Sequence, residues 1–480
     1  MRNSAMKLSH IISSLILPVA APVCLTLPGT AAIIPSAPEN HETAYRKFKE
    51  TLDNIVSTNS SDTAPALIIA LDATGDELCI DAWMQRAANE GNPAALLYLG
   101  STALNFVPQT HRQSAEVMKA VNMVKKASAT GYTPAVVTYS NILRTGVGCV
   151  ADPNKANKIM MEACKSGNIE TRFSWLLQTD RLLTYEDRNR PEVKGEITRG
   201  NHHVLYYLSK KAPDAFVKLC MLTEAARMGN ATAMFELSAY MSQLQNEQVS
   251  YHYLKKAAEL HHPQALTILG EYLVRGNKQL EQALGLQRDE AAGVYLLKIA
   301  TMMGNTRAQA MLSHIYYLGA CGLPKDEVKA YKHIELGSQV IPDISYTTAQ
   351  GYMLLMGHGV KQDTQKGLSL IKKAADIKFP HAVFMLANIY YQGLGGVPAN
   401  GQEAVYLLES MATTRGLEIS FIFLAYIYEK GGPDIKKDPA KVRYYLGHAE
   451  RVLGKVALDR FEQLKNDENG WVVTPFNIQL

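Results

Sequence analysis

Charge imbalance is almost missing from this chain: 49 Lys and Arg face 45 Asp and Glu, leaving a formal net charge of +4 over 480 residues. A field that weak does not gather a polyanion, so nucleic acid is not an expected partner. After residue 32 no stretch is long and apolar enough to cross a membrane. The phosphate-cradling GxxxxGK[ST], the nucleophile elbow GxSxG and the zinc-hydrolase HExxH are all absent. One GxGxxA match exists, from Gly146 to Ala151, but no strand precedes it. The same turn recurs as Gly357-His358-Gly359 and as Gly393 to Gly396, so it reads as a turn and not as a dinucleotide loop. The pairs His202-His203 and His261-His262 are adjacent. Neighbouring residues do not share a helix face, so surface or capping roles are expected and metal ligation is not. Catalytic, metal and cofactor-binding residues are therefore all expected to be absent.

What is present is repetition. Taking as anchor the first small residue of an Ala-Ala-type pair gives Ala87, Ala127, Ala163, Ala225, Ala257, Ala300, Ser338, Ala374, Ala412 and Ala449. The spacings lie between 32 and 43, except for 62 from Ala163 to Ala225. Four residues after the anchor stands a helix-ending residue, Gly at 91, 131, 167, 229, 304 and 416 and Pro at 342, with His261 and Lys378 departing from it. Position plus eight is small, plus twelve is Leu in most repeats, and plus thirteen is Gly, Ser or Ala. Plus sixteen is Tyr at Tyr316, Tyr390 and Tyr428. Offsets of eight, twelve and sixteen share one helix face, where small residues admit a neighbouring axis and large ones fill the space beside it. Asp152, Asp289, Asp326, Asp363 and Asp438 stand eleven or twelve residues before their anchors and predict the N-cap of a second helix. A two-helix unit with such a stripe cannot bury it alone, and stacking the units does.

The order Leu-small, Tyr, Gly-x-Gly-Val, Asp-x-x-Lys, Lys-Lys-Ala-Ala, seen in GYMLLMGHGVKQDTQKGLSLIKKAA from Gly351 to Ala375, resembles the Sel1-like repeat. The resemblance spans roughly residues 64–455. It implies an all-α, α/α superhelical solenoid related to tetratricopeptide repeats, and an adaptor or ligand-binding role with no single chemistry. One disulfide-rich branch of that family carries a Cys pair in each repeat, a pattern absent here, which argues against its proposed β-lactam binding. Cys79, Cys149, Cys164, Cys220 and Cys321 follow residue 32. Five is odd, so at least one thiol is free or joins chains. Cys220 reads as core filler, and about three helical turns between Cys149 and Cys164 argue against their pairing.

Residues 1–32 read as a secretory signal: Arg2 and Lys7, an apolar Ile11–Leu27, then Thr30-Ala31-Ala32 before a cleavage site. Removal takes two bases and no acid, so the charge falls from +4 to +2. Residues 33–63 form a leader and a capping helix with the stripe Ala44, Phe48, Leu52 and Ile55. Residues 64–455 form the solenoid, and 456–480 a cap with Ala457, Phe461 and Leu464 and a tail that folds back through Trp471 and Phe476.

Residues 180–200, charged and broken by Pro191, Gly195 and Gly200, read as an inserted loop, either a binding face or a solvated spacer. With few apolar residues it buries little, and replacing Tyr185–Lys194 by a Gly-Ser link is expected to leave stability nearly intact. Candidate partner-binding residues are Tyr185, Arg188 and Arg190 in that loop and Tyr240, Tyr272 and Tyr352 on first helices, since Tyr offers apolar area with a polar tip. For the plus-sixteen tyrosines, packing stands against a groove-lining role. The expected function is an exported, non-catalytic scaffold for a protein partner. The alternatives are an envelope-assembly or polysaccharide-export component, and an enzyme or small-ligand binder of the disulfide-rich branch.

Overall fold

A computed structural model describes residues 41–105, 114–165, 167–179, 183–340, 343–412, 419–432, 434–466, 473–474 and 477–478. The expected signal and leader up to residue 40, Leu182, Trp471 and Phe476 lie outside them. The chain divides into two compact units, Met1–Ala308 and Gln309–Leu480.

The first unit begins with α1 (His41–Ser57), α2 (Ala64–Thr74) and α3 (Ile80–Asn89). Helix pairs follow: α4 (Pro93–Asn105) with α5 (Ala115–Ala129), then α6 (Thr133–Thr145) with α7 (Pro153–Cys164). Next come α8 (Ile169–Thr179), α9 (Pro191–Thr198), α10 (His202–Ser209) with α11 (Ala215–Arg227), and α12 (Ala231–Gln243) with α13 (Glu247–Glu259). Helix α14 (Pro263–Arg275) is followed by the short α15 (Lys278–Leu284) but packs on α16 (Glu290–Met302). The stripe Ala44, Phe48, Leu52 and Ile55 of α1 is buried.

Helix α17 (Thr306–Leu318) crosses into the second unit, where α18 (Glu327–Val340) follows it. The pairs are then α19 (Ile344–Met356) with α20 (Thr364–Asp376), α21 (Pro380–Gln392) with α22 (Gly401–Ala412), and α23 (Ile419–Lys430) with α24 (Pro439–Leu453). Helix α25 (Lys455–Asn466) closes the array with Ala457, Phe461 and Leu464 buried. Two-residue strands β1 (Val473–Thr474) and β2 (Asn477–Ile478) pair antiparallel, Val473 opposite Ile478. The tail does fold back: Val473 is buried in the core, and His381 Nε2 donates to Thr474 O at 2.7 Å.

Two contacts recur among the pairs. The first is close approach of the plus-thirteen residue to the fourth residue beyond the second-helix N-cap. A Cβ on Gly351 would lie 2.9 Å from Gly367 O, and one on Gly367 would lie 2.6 Å from Gly351 O. Gly270 and Gly293 face each other in the same way. Elsewhere a serine sits at this meeting point: Ser313 Oγ donates to Ala330 O, and Ser250 Oγ to Ser238 O, both at 2.9 Å. The second contact is a turn-closing hydrogen bond. The backbone N–H of Asp152, Asp289, Asp326, Asp363, Asn400 and Asp438 donates to the plus-sixteen carbonyl of the preceding helix, on Leu143, Leu273, Tyr316, Leu354, Tyr390 and Tyr428, at 2.7–3.0 Å. The same aspartates cap their helices, as the Asp152, Asp289, Asp326 and Asp363 carboxylates accept the amides of Lys155, Ala292, Lys329 and Lys366.

Residues 183–200 are not a solvated loop. They hold a 3₁₀ turn (Glu186–Asn189) and α9, and they contribute to a buried cluster of Leu176, Leu183, Val193, Val204 and Leu208. Gly200-Asn201 repeats the Gly-Asn step of Gly91-Asn92, Gly167-Asn168, Gly229-Asn230 and Gly304-Asn305. Glu196 therefore occupies the missing anchor, splitting the long interval of 62 into 33 and 29. The long gap is a worn repeat, and α10 is the first helix of the next one. Glu196 replaces a small residue because its carboxylate is held by Arg172 Nε (3.0 Å), Arg199 Nη1 (2.9 Å) and Asn201 Nδ2 (3.0 Å). The partners offset the cost of burying it.

Two stability outcomes follow from this packing. Gly351→Leu should cost about 1–3 kcal/mol through overpacking against Gly367 and Ile371. Leu183→Ala should cost about 2–5 kcal/mol. Thermal melting checks both, and the Gly-Ser replacement of Tyr185–Lys194 should lower the midpoint clearly, the reverse of the outcome expected for a solvated loop.

Candidate interaction surfaces

The 3₁₀ turn brings three of the six sequence-predicted residues together. The Arg188 guanidinium lies 3.9 Å over the Tyr185 ring, and Arg190 Nη1 approaches Asp187 at 3.5 Å. Two carbonyl and carboxylate contacts fix this local order: Arg188 Nη1 donates to Tyr185 O, and Asp187 Oδ2 accepts from Thr184 Oγ1. Tyr240 and Tyr272 are half-buried on α12 and α14. Tyr352 is only 6% exposed and packs on His358 at 5.8 Å between centroids, so it serves packing and offers no surface. The plus-sixteen tyrosines also pack. Tyr316 and Tyr428 are buried and Tyr390 is half-buried, with Lys329, Lys441 and Lys372 over their rings at 5.3, 4.3 and 5.6 Å. Sequence reasoning missed Tyr406 and Tyr444, which are 66% and 60% exposed on α22 and α24. Their signal was legible: each stands five or six residues before its anchor, off the buried stripe of a second helix. Tyr444 lies 4.6 Å from the His448 ring, which stacks on Phe421 at 5.2 Å.

Within the first unit the N-terminal block touches helices far along the chain. The polar linker between α1 and α2 crosses the start of α6. Asn59 Oδ1 accepts from Thr133 N (3.1 Å) and Thr133 Oγ1 (2.8 Å), and Ser60 O accepts from Tyr132 OH (2.6 Å). Ser61 Oγ donates to Glu170 Oε1 at 2.9 Å, and Asp62 Oδ2 meets His261 Nδ1 at 2.9 Å. Asn59 and His261 both hold a left-handed backbone, φ 52° and 55°, an uncommon conformation for residues with a side chain. His261 stands where most repeats have Gly, and its side chain reaches the linker.

Further along, Tyr295 OH donates to Asp72 Oδ1 (2.8 Å), Lys298 Nζ donates to Gly75 O (2.7 Å), and Tyr98 OH donates to Met302 O (2.9 Å). Lys298 Nζ also pairs with Glu77 Oε2 at 3.1 Å, their side chains 10% and 0% exposed.

The histidines are structural. His202 and His203, in the first turn of α10, do meet, 4.3 Å between centroids, contrary to the expectation from helix geometry. His203 stacks on Phe173, and His202 Nδ1 sits 3.1 Å from Asn230 Nδ2. Burial, then the neighbouring His203, lowers the His202 value to about 4, and burial lowers His203, His252, His262 and His381 as well. Among the described residues no group of three His, Cys, Asp or Glu could hold a metal ion. Cys220 is exposed and is not core filler, and Cys149 and Cys164 are free thiols. Among the described residues no helix is long and apolar enough to cross a membrane.

A histidine whose folded value is depressed stays neutral while the unfolded chain takes up a proton below about pH 6.5. Stability should therefore be full above that value and fall as pH drops from about 6.5 toward 4. His202→Gln should flatten that fall, as read by melting temperature at steps of pH.

The Sel1 repeat pattern matches residues 82–92, 231–262, 263–305, 306–339, 349–377, 380–413 and 422–447. From residue 231 onward each matched span holds one helix pair, in whole or in large part. Over 131 residues the chain is 33% identical to chitin synthase regulatory factor 3 of Schizosaccharomyces pombe, covering 26% of this chain and 14% of that protein. The matched region is thus a small part of that relative's length. A solved protective antigen of uropathogenic Escherichia coli with an SLR fold shares 20% identity, covers 88% of this chain and 91% of its own, and superposes with a TM-score of 0.45. A Sel1 repeat protein from Oxalobacter formigenes shares 19% identity over 52% of this chain and 98% of its own, with a TM-score of 0.41. With seven matched stretches, six of them lying in register with its helix pairs, the chain is a Sel1-repeat protein.

Proposed function

We propose that this chain is an exported, non-catalytic scaffold that binds a protein partner through side chains standing off its repeat cores. The observation that carries this reading is the division of labour along each second helix. One face is consumed by the paired helix, while Tyr406 and Tyr444 are left in solvent, Tyr444 beside His448, which stacks on Phe421. Large aromatic rings on a rigid helical face suit protein recognition, because they offer contact area at low entropic cost. The Tyr185–Arg188–Arg190 turn, with Tyr185 and Arg188 half-buried and Arg190 exposed, is a second candidate surface, on the first unit. The curated relative is named as a regulatory factor, which fits a chain that acts on another protein. Export rests on the pattern of residues 1–32.

Site-specific photo-crosslinking at Tyr406, Tyr444 or Tyr185 in the native host, with mass spectrometry of the adduct, tests the partner reading. One protein should be captured reproducibly from at least one of these sites, and alanine at that site should abolish its capture while the melting temperature stays put. Scattered adducts with no common protein would refute the surface. N-terminal sequencing tests export: the mature chain should begin near Ile33, and an intact Met1 would refute it.

A further inference from the structure

We propose that the first unit is a clasped turn of the solenoid, which opens reversibly at the seam between the N-terminal block (residues 59–98) and α16. Opening would also part Asp62 from His261, the contact that ties the linker to the distant repeats. The seam joins residues about 200 positions apart: Asp72 to Tyr295, Gly75 and Glu77 to Lys298, Tyr98 to Met302, and Asp62 to His261. The bonds that join these residues are polar, although α16 also buries Val294, Leu296, Ile299 and Met302; the cores of the individual repeats are apolar and made between neighbouring helices, as in the cluster of Leu219, Leu222, Leu237 and Val249. In a solenoid each repeat is stabilised by its neighbours, so separating distant repeats need not dissolve any pair.

The chemistry of the seam makes closure finely balanced. A buried ion pair such as Glu77–Lys298 gains Coulomb energy but loses the hydration of two charges, and the two nearly cancel. When the seam opens both groups return to water. An apolar seam would lack that compensation. The linker follows the same logic. Asn59, Ser60, Ser61 and Asp62 contribute no buried apolar side chain, and their hydrogen bonds exchange readily for water. Two residues outside the repeat pattern, Tyr132 and His261, are both spent on this linker. Once it lifts, Tyr132 OH, Thr133 N, Asn168 Nδ2, Glu170 and His261 form an uncovered polar row. That row suits an extended peptide segment bearing amide or carboxylate side chains, the chemistry it now holds.

The test is pulsed electron resonance on the full chain, with spin-labelled unnatural amino acids at the exposed positions Ser57 and Leu260. In wild type the longer of two distance populations should appear at urea concentrations below the onset of helix loss by circular dichroism. Lys298→Met, which removes the cation paired with the Glu77 carboxylate, should increase the long population at least tenfold without urea. The double variant E77Q/K298M, which removes both charges, should restore the short one. Distances that change only together with helix loss in wild type would overturn the proposal, and so would a folded Lys298→Met variant with an unchanged distribution. The urea series on wild type decides the matter even where Lys298→Met does not fold.

Discussion

The structure depends on how closely the two helices of each repeat approach. A pair of small residues, plus thirteen on one helix and the fourth past the N-cap on the other, lets the backbones nearly touch, as at Gly351 and Gly367 or Gly270 and Gly293. Once they touch, the N–H of the capping Asp or Asn lies within reach of the plus-sixteen carbonyl. The turn between the helices is then fixed at both ends. Everything larger follows: Leu at plus twelve fills the space beside the contact, and the tyrosine at plus sixteen covers it. The outward face of the second helix remains free to vary.

This constraint explains what was legible in the sequence and what was not. Gly, Ser and Ala at fixed offsets, and Asp eleven or twelve residues before the anchor, are local demands that one residue type meets. They therefore recur and can be counted. The worn repeat was illegible by that count because Glu196 met the same demand differently, with a carboxylate satisfied by Arg172, Arg199 and Asn201 in place of a small side chain. The Gly200-Asn201 step was there to betray it. Asn246 and Asn400, which cap like Asp, escaped notice for a similar reason.

The candidate surface was less legible than the fold. Tyrosine on a first helix can pack or protrude, and periodicity does not separate the two. Tyr352, Tyr316 and Tyr428 turned inward, while Tyr406 and Tyr444 on second helices turned out. Contacts such as Asp62 to His261 and Glu77 to Lys298 are invisible to any repeat count, because they join residues about 200 positions apart. What marked them in advance was departure from the pattern: a histidine where most repeats have glycine, and a lysine in an otherwise apolar helix. In a repeat protein such departures are the places to look for contacts between distant repeats.

The account rests on one recurring turn-closing bond. Hydrogen exchange resolved to single amides reads it directly at Asp152, Asp289, Asp326, Asp363, Asn400 and Asp438. Although each lies outside a helix, the account predicts protection comparable to that of mid-helix amides in the same repeat. Exchange at the rate of open loop amides at these positions would contradict it.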